Sequence, residues 1–277
     1  MPGLVPGIHV FEQKSKTWMA GTSPAMTKKR ESTMSEEILS QQDGPILRIT
    51  LNRPDAGNGA TDGMATELTR LLNGAAEKSR LVVLRGAGKD LCIGRATMGQ
   101  QPAVMPEALA RKRQYDVIFN VYSAIRNTPV PVICVVQGRA LGFGCAVAAL
   151  ADIIIASEAS TFQIPEMEHY ILPTMVLSAM VDRMTRKGLG YMTWSCATVG
   201  PERALSHGIV SEVVPAAKLD ESVESLCKFM LKSPAVATEG VKEYLRHAMT
   251  MDVPSAVGLA RNLHAVVNSS SEMRRPK

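Results

Sequence analysis

Three short apolar runs, Leu81–Leu84, Val130–Val136 and Ile153–Ala156, are separated by segments with a helical period. An apolar run without polar alternation reads as a strand buried on both faces, and such strands belong to parallel sheets covered by helices. Parallel neighbours need crossover connections, which the helical segments between the runs supply. The chain is therefore expected to be a layered α/β protein. Ile46–Leu51 alternates as a half-buried strand and is stopped by Asn52-Arg53-Pro54. Thr61 is expected to cap a helix whose apolar face carries Met64, Leu68, Leu71 and Leu72. A long helix is expected around Glu107–Arg126, with Val117, Ile118, Val121 and Ile125 on one face. Gly138–Gly144 reads as a glycine-punctuated loop leading into a small helix, Cys145–Leu150. Beyond Pro173 the chain becomes mostly helical. A short helix runs from Pro201 to Gly208, a last strand covers Val210–Val214, and helices follow near Leu219–Leu231, Ala235–Met249 and Ser255–Val267.

A chain of 277 residues that is 45% hydrophobic and 21% charged can bury a sizeable core without staples. Its net charge of +5 is unevenly placed. Five of the basic residues, Lys14, Lys16, Lys28, Lys29 and Arg30, lie in the first 33 positions against only Glu12 and Glu31. The body is close to neutral, which disfavours a nucleic-acid partner. The most apolar stretch, Leu141–Ala156, is interrupted by Gly142, Gly144 and Asp152 and fits a loop, helix and strand better than a bilayer span. Residues 1–33 carry Pro2, Pro6 and an isolated Trp18 with no sustained period. They read as an over-extended start or appended tail upstream of Met34, with a transit peptide as the other reading. Cys92, Cys134, Cys145, Cys196 and Cys227 are scattered, with no Cys-x-x-Cys pair. That pattern argues against a disulfide scaffold and a zinc site, and it suits the cytoplasm. No metal ligand set is expected.

The chain has no P-loop, no Gly-x-Ser-x-Gly elbow and no His-Glu-x-x-His. The glycines of Gly138-Arg-Ala-Leu-Gly-Phe-Gly144 have the wrong spacing for dinucleotide binding. Two glycine sites remain: Leu91-Cys-Ile-Gly94-Arg95 and Gly142-Phe143-Gly144. Glycine lets the backbone approach a ligand, and a helix N-terminus offers unpaired N–H groups to a developing oxyanion. Turn and packing glycines are the commoner explanation of such sites. Phe162-Gln-Ile-Pro165-Glu166 places a carboxylate just after a strand, where acid–base work or a solvated loop are both open readings.

Taken together, these features resemble the crotonase family, the enoyl-CoA hydratases and isomerases. The matching segments are Leu51-Asn-Arg-Pro-Asp-Ala56 with Asn58, Cys92-Ile-Gly-Arg95 and Gly138-x-Ala-Leu-Gly-x-Gly-Cys145. They continue through Ala151-Asp-Ile-Ile-Ile-Ala156, Phe162-x-x-Pro-Glu166 and Gly208-Ile-Val-x-x-Val-Val-Pro215. The resemblance covers about Ile38 to Val267. It implies a ββα spiral core over 34–215 and a C-terminal helical trimerisation region over 216–277, assembled as a homotrimer or dimer of trimers. It implies an acyl-CoA substrate, with coenzyme A as part of the substrate and no separate cofactor. The thioester oxygen would sit between the backbone N–H groups of Arg95 and Phe143, which stabilise an enolate. Arg53, Ala56, Ile93, Gly94 and Gly142 would lie along the substrate and its coenzyme A.

Hydratases of the family usually carry two glutamates. One matches Glu166; the other position is occupied here by Ala146. Adding water needs a base for water and an acid for the alpha carbon, whereas moving a double bond needs one proton shuttle. The lone Glu166 therefore favours Δ3–Δ2 isomerisation. A hydratase or thioester hydrolase with another second group is the enzymatic alternative, and a non-catalytic acyl-CoA or RNA-binding relative is the other. Phe143, where the family usually has glycine, keeps the N–H and adds a ring that narrows or reshapes the site. Tyr170 and Thr174–Leu177 are expected to displace a bound water, and His169 is a candidate substitute acid or base. The short C-terminus, Ser269–Lys277, leaves little to cover coenzyme A.

Overall fold

The computed structural model of the chain describes residues 37–97 and 106–274. The expectation for residues 1–33 lies outside the described residues.

Eight strands and ten helices follow one another among the described residues. The first half holds β1 (Ile38–Asp43), β2 (Ile46–Leu51), α1 (Asp62–Asn73), β3 (Leu81–Gly86), α2 (Ala108–Gln114), α3 (Asp116–Asn127) and β4 (Val132–Val136). Then come β5 (Arg139–Leu141), α4 (Phe143–Leu150), β6 (Ile153–Ser157) and β7 (Thr161–Gln163). The rest is α5 (Thr174–Met180), α6 (Arg186–Ser195), α7 (Pro201–His207), β8 (Glu212–Val214), α8 (Leu219–Met230), α9 (Ala235–Ala248) and α10 (Val253–Ser269).

The main sheet has the order β1-β2-β3-β4-β6-β8. Only the β1–β2 hairpin is antiparallel; every other neighbour in this sheet is parallel. The apolar runs seen in the sequence are its centre, with Leu84 beside Cys134 and Cys134 beside Ile154. Period-2 alternation splits their side chains between two cores. Leu47, Ile49, Val82, Leu84, Cys134 and Ile154 face α1, α3 and α4. Ile46, Leu81, Val83, Ile133, Val135 and Ile155 face α8 through Leu219, Val223 and Cys227.

Local signals placed most elements. Thr61 caps α1, its hydroxyl accepting from the Met64 N–H at 3.1 Å. Pro201 opens α7 and Gly208 closes it in the left-handed conformation. Three elements differ from expectation. The helix expected at Glu107–Arg126 is two, α2 and α3, because Glu107 caps the first and the chain turns at Tyr115. The Gly138–Gly144 loop contains β5, which pairs in parallel with β7 as a second, two-stranded sheet. The hairpin strand β1 had no sequence signal of its own: five of its six residues are exposed.

The C-terminal helices attach to this core through a buried cation. Lys242 of α9 is 7% exposed. Its ammonium pairs with Asp152 at 2.8 Å and donates to the Val130 carbonyl at 2.9 Å. Asp152 also accepts from the Val132 N–H at 2.7 Å. Burial lowers the Lys242 pKa and the neighbouring Asp152 charge opposes that shift. No helix among the described residues is long and apolar enough to cross a membrane.

Candidate active site

Two backbone segments, each led by a glycine, form the heart of the site. Gly94 has φ +113° and Gly142 has φ +50°, regions that L side chains rarely adopt. Each glycine immediately precedes one of the two residues, Arg95 and Phe143, whose N–H groups the resemblance implies as donors. Phe143 is the first residue of α4, where an N–H has no intrahelical acceptor. Among the described residues, neither the Arg95 nor the Phe143 N–H donates to any backbone or side-chain acceptor.

Several contacts bring the two segments together. The Leu141 N–H donates to the Cys92 carbonyl at 2.9 Å. Gly144 packs directly on that same carbonyl. On the other side, residues 57–60 run beside 93–96. Ile93 N–H donates to Gly57, Ala60 N–H to Gly94 and Ala96 N–H to Ala60, at 3.0, 2.8 and 2.9 Å. Asn58, fully buried with φ +56°, organises this loop. Its carbonyl oxygen accepts from Arg53 N–H at 2.8 Å, and its amide donates to the Ala87 and Asp90 carbonyls at 2.9 and 2.8 Å.

The expected substrate-contact residues thus lie on segments that are hydrogen-bonded to one another. Ile93 and Gly94 precede the first donor, and Gly142 precedes the second. Ala56 is exposed in the 3-10 turn Pro54–Ala56, beside the 93–96 segment. The Arg53 guanidinium is committed to its own loop: it donates to the Gly59 carbonyl at 2.6 Å and pairs with Glu37 at 3.1 Å.

Glu166 enters from β7. The Gly142 N–H donates to the Gln163 carbonyl at 3.0 Å, tying the end of β5 to β7. Three residues later Glu166 opens the 3-10 turn Glu166–His169. It is 7% exposed, and its Oε2 is buried without a hydrogen-bond partner. Burial raises its pKa to about 7, while its own backbone N–H acts the other way. A carboxyl poised near neutrality can both take and return a proton. Ala146, where a second carboxylate would stand, is fully buried within α4, a helix without any acidic residue. Cys145 is its buried neighbour; burial, with the Glu166 charge adding, pushes its thiol up to about 12, so it is no nucleophile.

Two expectations about neighbouring side chains change. Tyr170 is 95% exposed and His169 is exposed, at the end of the turn that Glu166 begins. The Tyr170 ring therefore fills no space beside the carboxylate. The Phe143 ring is 3% exposed and stacks on Tyr122 of α3, centroids 6.0 Å apart and planes 21° apart. It packs into the wall of the site instead of hanging across it. Tyr122 itself escaped the sequence reading. Its only signal is its place four residues after Ile118, on the buried side of α3. Burial raises the pKa of its hydroxyl, and the charges of Glu166 and Arg95 both act on it. Among the described residues no cluster of His, Cys, Asp and Glu could hold a metal ion.

The chain resembles known proteins over most of its length. The family model "Enoyl-CoA hydratase/isomerase" matches residues 41–276. A "Probable enoyl-CoA hydratase" of Rhodobacter capsulatus is 26% identical over 231 residues, covering 82% of this chain and 87% of the relative. A "1,2-epoxyphenylacetyl-CoA isomerase" of Escherichia coli K12 is 25% identical over 248 residues, covering 87% and 94%. The crystal structure of an enoyl-CoA hydratase of Mycobacterium smegmatis superimposes with a TM-score of 0.80 at 25% identity, covering 87% of this chain and 98% of that one. The α/β core and C-terminal helices are those of the crotonase fold. The chain belongs to the enoyl-CoA hydratase/isomerase family, and is an enzyme of that family.

Proposed function

We propose that this enzyme moves a double bond of an enoyl-CoA from the 3 to the 2 position, with Glu166 as its single proton carrier. The observation that carries the reading is a buried carboxylate, unpartnered at Oε2 and with a pKa of about 7, in a chain whose α4 carries no second acid. The thioester oxygen is held by the N–H groups of Arg95 and Phe143. Glu166 removes a proton from carbon 2, and the electron pair spreads to the thioester oxygen as an enolate. Fixed donors aimed at that oxygen stabilise it without reorganisation, each contributing about 10²–10³ in rate. The same carboxyl then returns the proton to carbon 4, the double bond settles between carbons 2 and 3, and nothing is gained or lost. Arg53, Ala56, Ile93, Gly94 and Gly142 lie along the bound thioester and its coenzyme A.

Names of relatives favour a second reading, since the Rhodobacter capsulatus and Mycobacterium smegmatis proteins are both called hydratases. Hydration needs a second group that activates water, and α4 supplies none. The reading includes a homotrimer or dimer of trimers, in which exposed side chains such as Tyr170, Leu172 and Trp194 become covered. It also places the enzyme in the cytoplasm, in keeping with five buried, unpaired cysteines.

The test gives the purified enzyme trans-3-hexenoyl-CoA and trans-2-hexenoyl-CoA separately. Conjugated-thioester absorbance appearing from the first at unchanged mass is the expected outcome. A gain of one water from the second, without conjugation from the first, establishes hydration and sinks the isomerase reading.

A further inference from the structure

The two donor peptides are anchored by different means. In a trans peptide the C=O and the N–H point in opposite directions within one plane, so holding the carbonyl end sets the direction of the N–H. The Phe143 N–H shares its peptide with the Gly142 carbonyl, which accepts from the Ala146 N–H at 2.9 Å in the first turn of α4. The Arg95 N–H shares its peptide with the Gly94 carbonyl, and residues 91–96 belong to no helix. That carbonyl accepts from the Ala60 N–H at 2.8 Å and from the Cys92 thiol at 3.4 Å. The first donor therefore depends on how well residues 57–60 are held.

One buried side chain braces that stretch. Asn58 lies between Gly57 and Ala60, whose backbone groups bond to Ile93 and Gly94. Its amide donates to the Asp90 carbonyl at 2.8 Å, at the head of the segment that leads to Arg95. Its Oδ1 accepts from the Arg53 N–H at 2.8 Å, at the head of its own loop. The segment 90–96 is thus tied to 57–60 by the Asn58 side chain at one end and by backbone bonds at the other. The chain makes room for the amide, since a Cβ on Gly86 would lie 2.7 Å from its Nδ2. It also accepts a left-handed backbone at Asn58, φ +56°, which asparagine tolerates better than most residues.

We propose that Asn58 is a positioning residue for the reaction: by clamping 57–60 to 90–96 it holds the Gly94–Arg95 peptide so that the Arg95 N–H meets the thioester oxygen. It does for the first donor what the opening turn of α4 does for the second. Asn58 touches no reacting atom and acts through Ala60 and Gly94. The inference rests on the reading that the thioester oxygen sits between the Arg95 and Phe143 N–H groups.

The test binds hexanoyl-CoA, saturated and unreactive, with carbon-13 at its thioester carbonyl, and reads that carbonyl by infrared difference spectroscopy. Two aimed donors polarise the bond, so the wild-type enzyme should lower its stretching frequency relative to the free thioester. Asn58→Gly removes all three side-chain bonds and still accepts the left-handed backbone. Asn58→Asp keeps the size and the bond from Arg53 and loses both donated bonds. In each folded variant the band should move back towards the free value. Turnover of trans-3-hexenoyl-CoA should fall in kcat by about tenfold to 10²-fold, with KM within a fewfold, as expected for a misplaced donor. Lower stability alone would not move the band of the folded, ligand-bound protein. A band that stays at the wild-type position in the folded variants overturns the proposal. Failure of both variants to fold overturns it too, because Asn58 then serves the fold alone. A wild-type enzyme that leaves the band unshifted removes the oxyanion reading on which the proposal rests. A shifted band without isomerised product sinks only the isomerase reading, so the failures are told apart.

Discussion

Gly144 stands where a side chain would collide with the Cys92 carbonyl: a Cβ there would lie 2.2 Å from that oxygen. The contact is backbone against backbone, so neither side can rotate away. This is what holds the start of α4 against the segment that leads to Arg95. Gly144→Ala should push the two N–H donors apart and lower kcat/KM by about 10²-fold or more, in the range of losing one oxyanion donor. Steady-state kinetics on the folded variant check this, and an unchanged kcat/KM would remove the donors from the mechanism.

Glu166→Gln should abolish turnover while acyl-CoA binding stays within a fewfold of wild type, as read by kinetics and calorimetry. In the wild-type enzyme the carboxylate must be ionised to take the first proton. Its pKa of about 7 then predicts a rising limb in kcat/KM centred near pH 7. A limb near pH 4.5 would mean that the active carboxyl is a solvated one.

The same group should leave a mark on stability. Its folded pKa is raised from 4.5 to about 7, so the folded state favours the neutral carboxyl. The contribution is most favourable below about pH 4.5 and is lost as pH rises through about 7, by roughly 3 kcal/mol in all. Glu166→Gln, which stays neutral, should therefore gain stability over wild type at pH 8, with the difference closing towards pH 4.5. Urea unfolding at the two pH values checks the sign.

Lys242→Met should cost roughly 3 kcal/mol, because it leaves the Asp152 charge beside the core without its partner. The double variant Asp152→Asn with Lys242→Met should recover much of that loss. Denaturant unfolding of the three variants tests it. A loss in the double variant as large as in Lys242→Met would show that packing of the α9 stem, not the pairing, ties the C-terminal helices down.

Much of the architecture was legible because continuous apolar runs leave little freedom. Leu81–Leu84 and Ile153–Ala156 can only be central strands in a helix-covered sheet, and they are. Thr61 and Pro201 announced their helices through capping chemistry that is local to the sequence. β1 was not legible, because an exposed hairpin strand owes its existence to its partner's hydrogen bonds and carries no apolar period. β5 was missed for a related reason: three residues pair with β7 some twenty positions on, a contact that no local pattern encodes. In the site, glycines and one glutamate were visible as residue types. Their convergence was not, since it depends on Leu141, Gly144 and Gln163 meeting across separate elements. Tyr122 was hidden because an aromatic on a buried helix face looks like any other core residue.

In the proposed mechanism both donors are main-chain N–H groups, so positions 95 and 143 are free of any obligation to supply a functional group to the reaction. A side-chain change at either place can redraw what the pocket accepts without erasing the oxyanion site. The chain places an arginine and a phenylalanine there. On that proposal the fold separates two kinds of heredity: the chemistry is written in backbone geometry, fixed by a few glycines, and the choice of substrate is left to side chains that can drift.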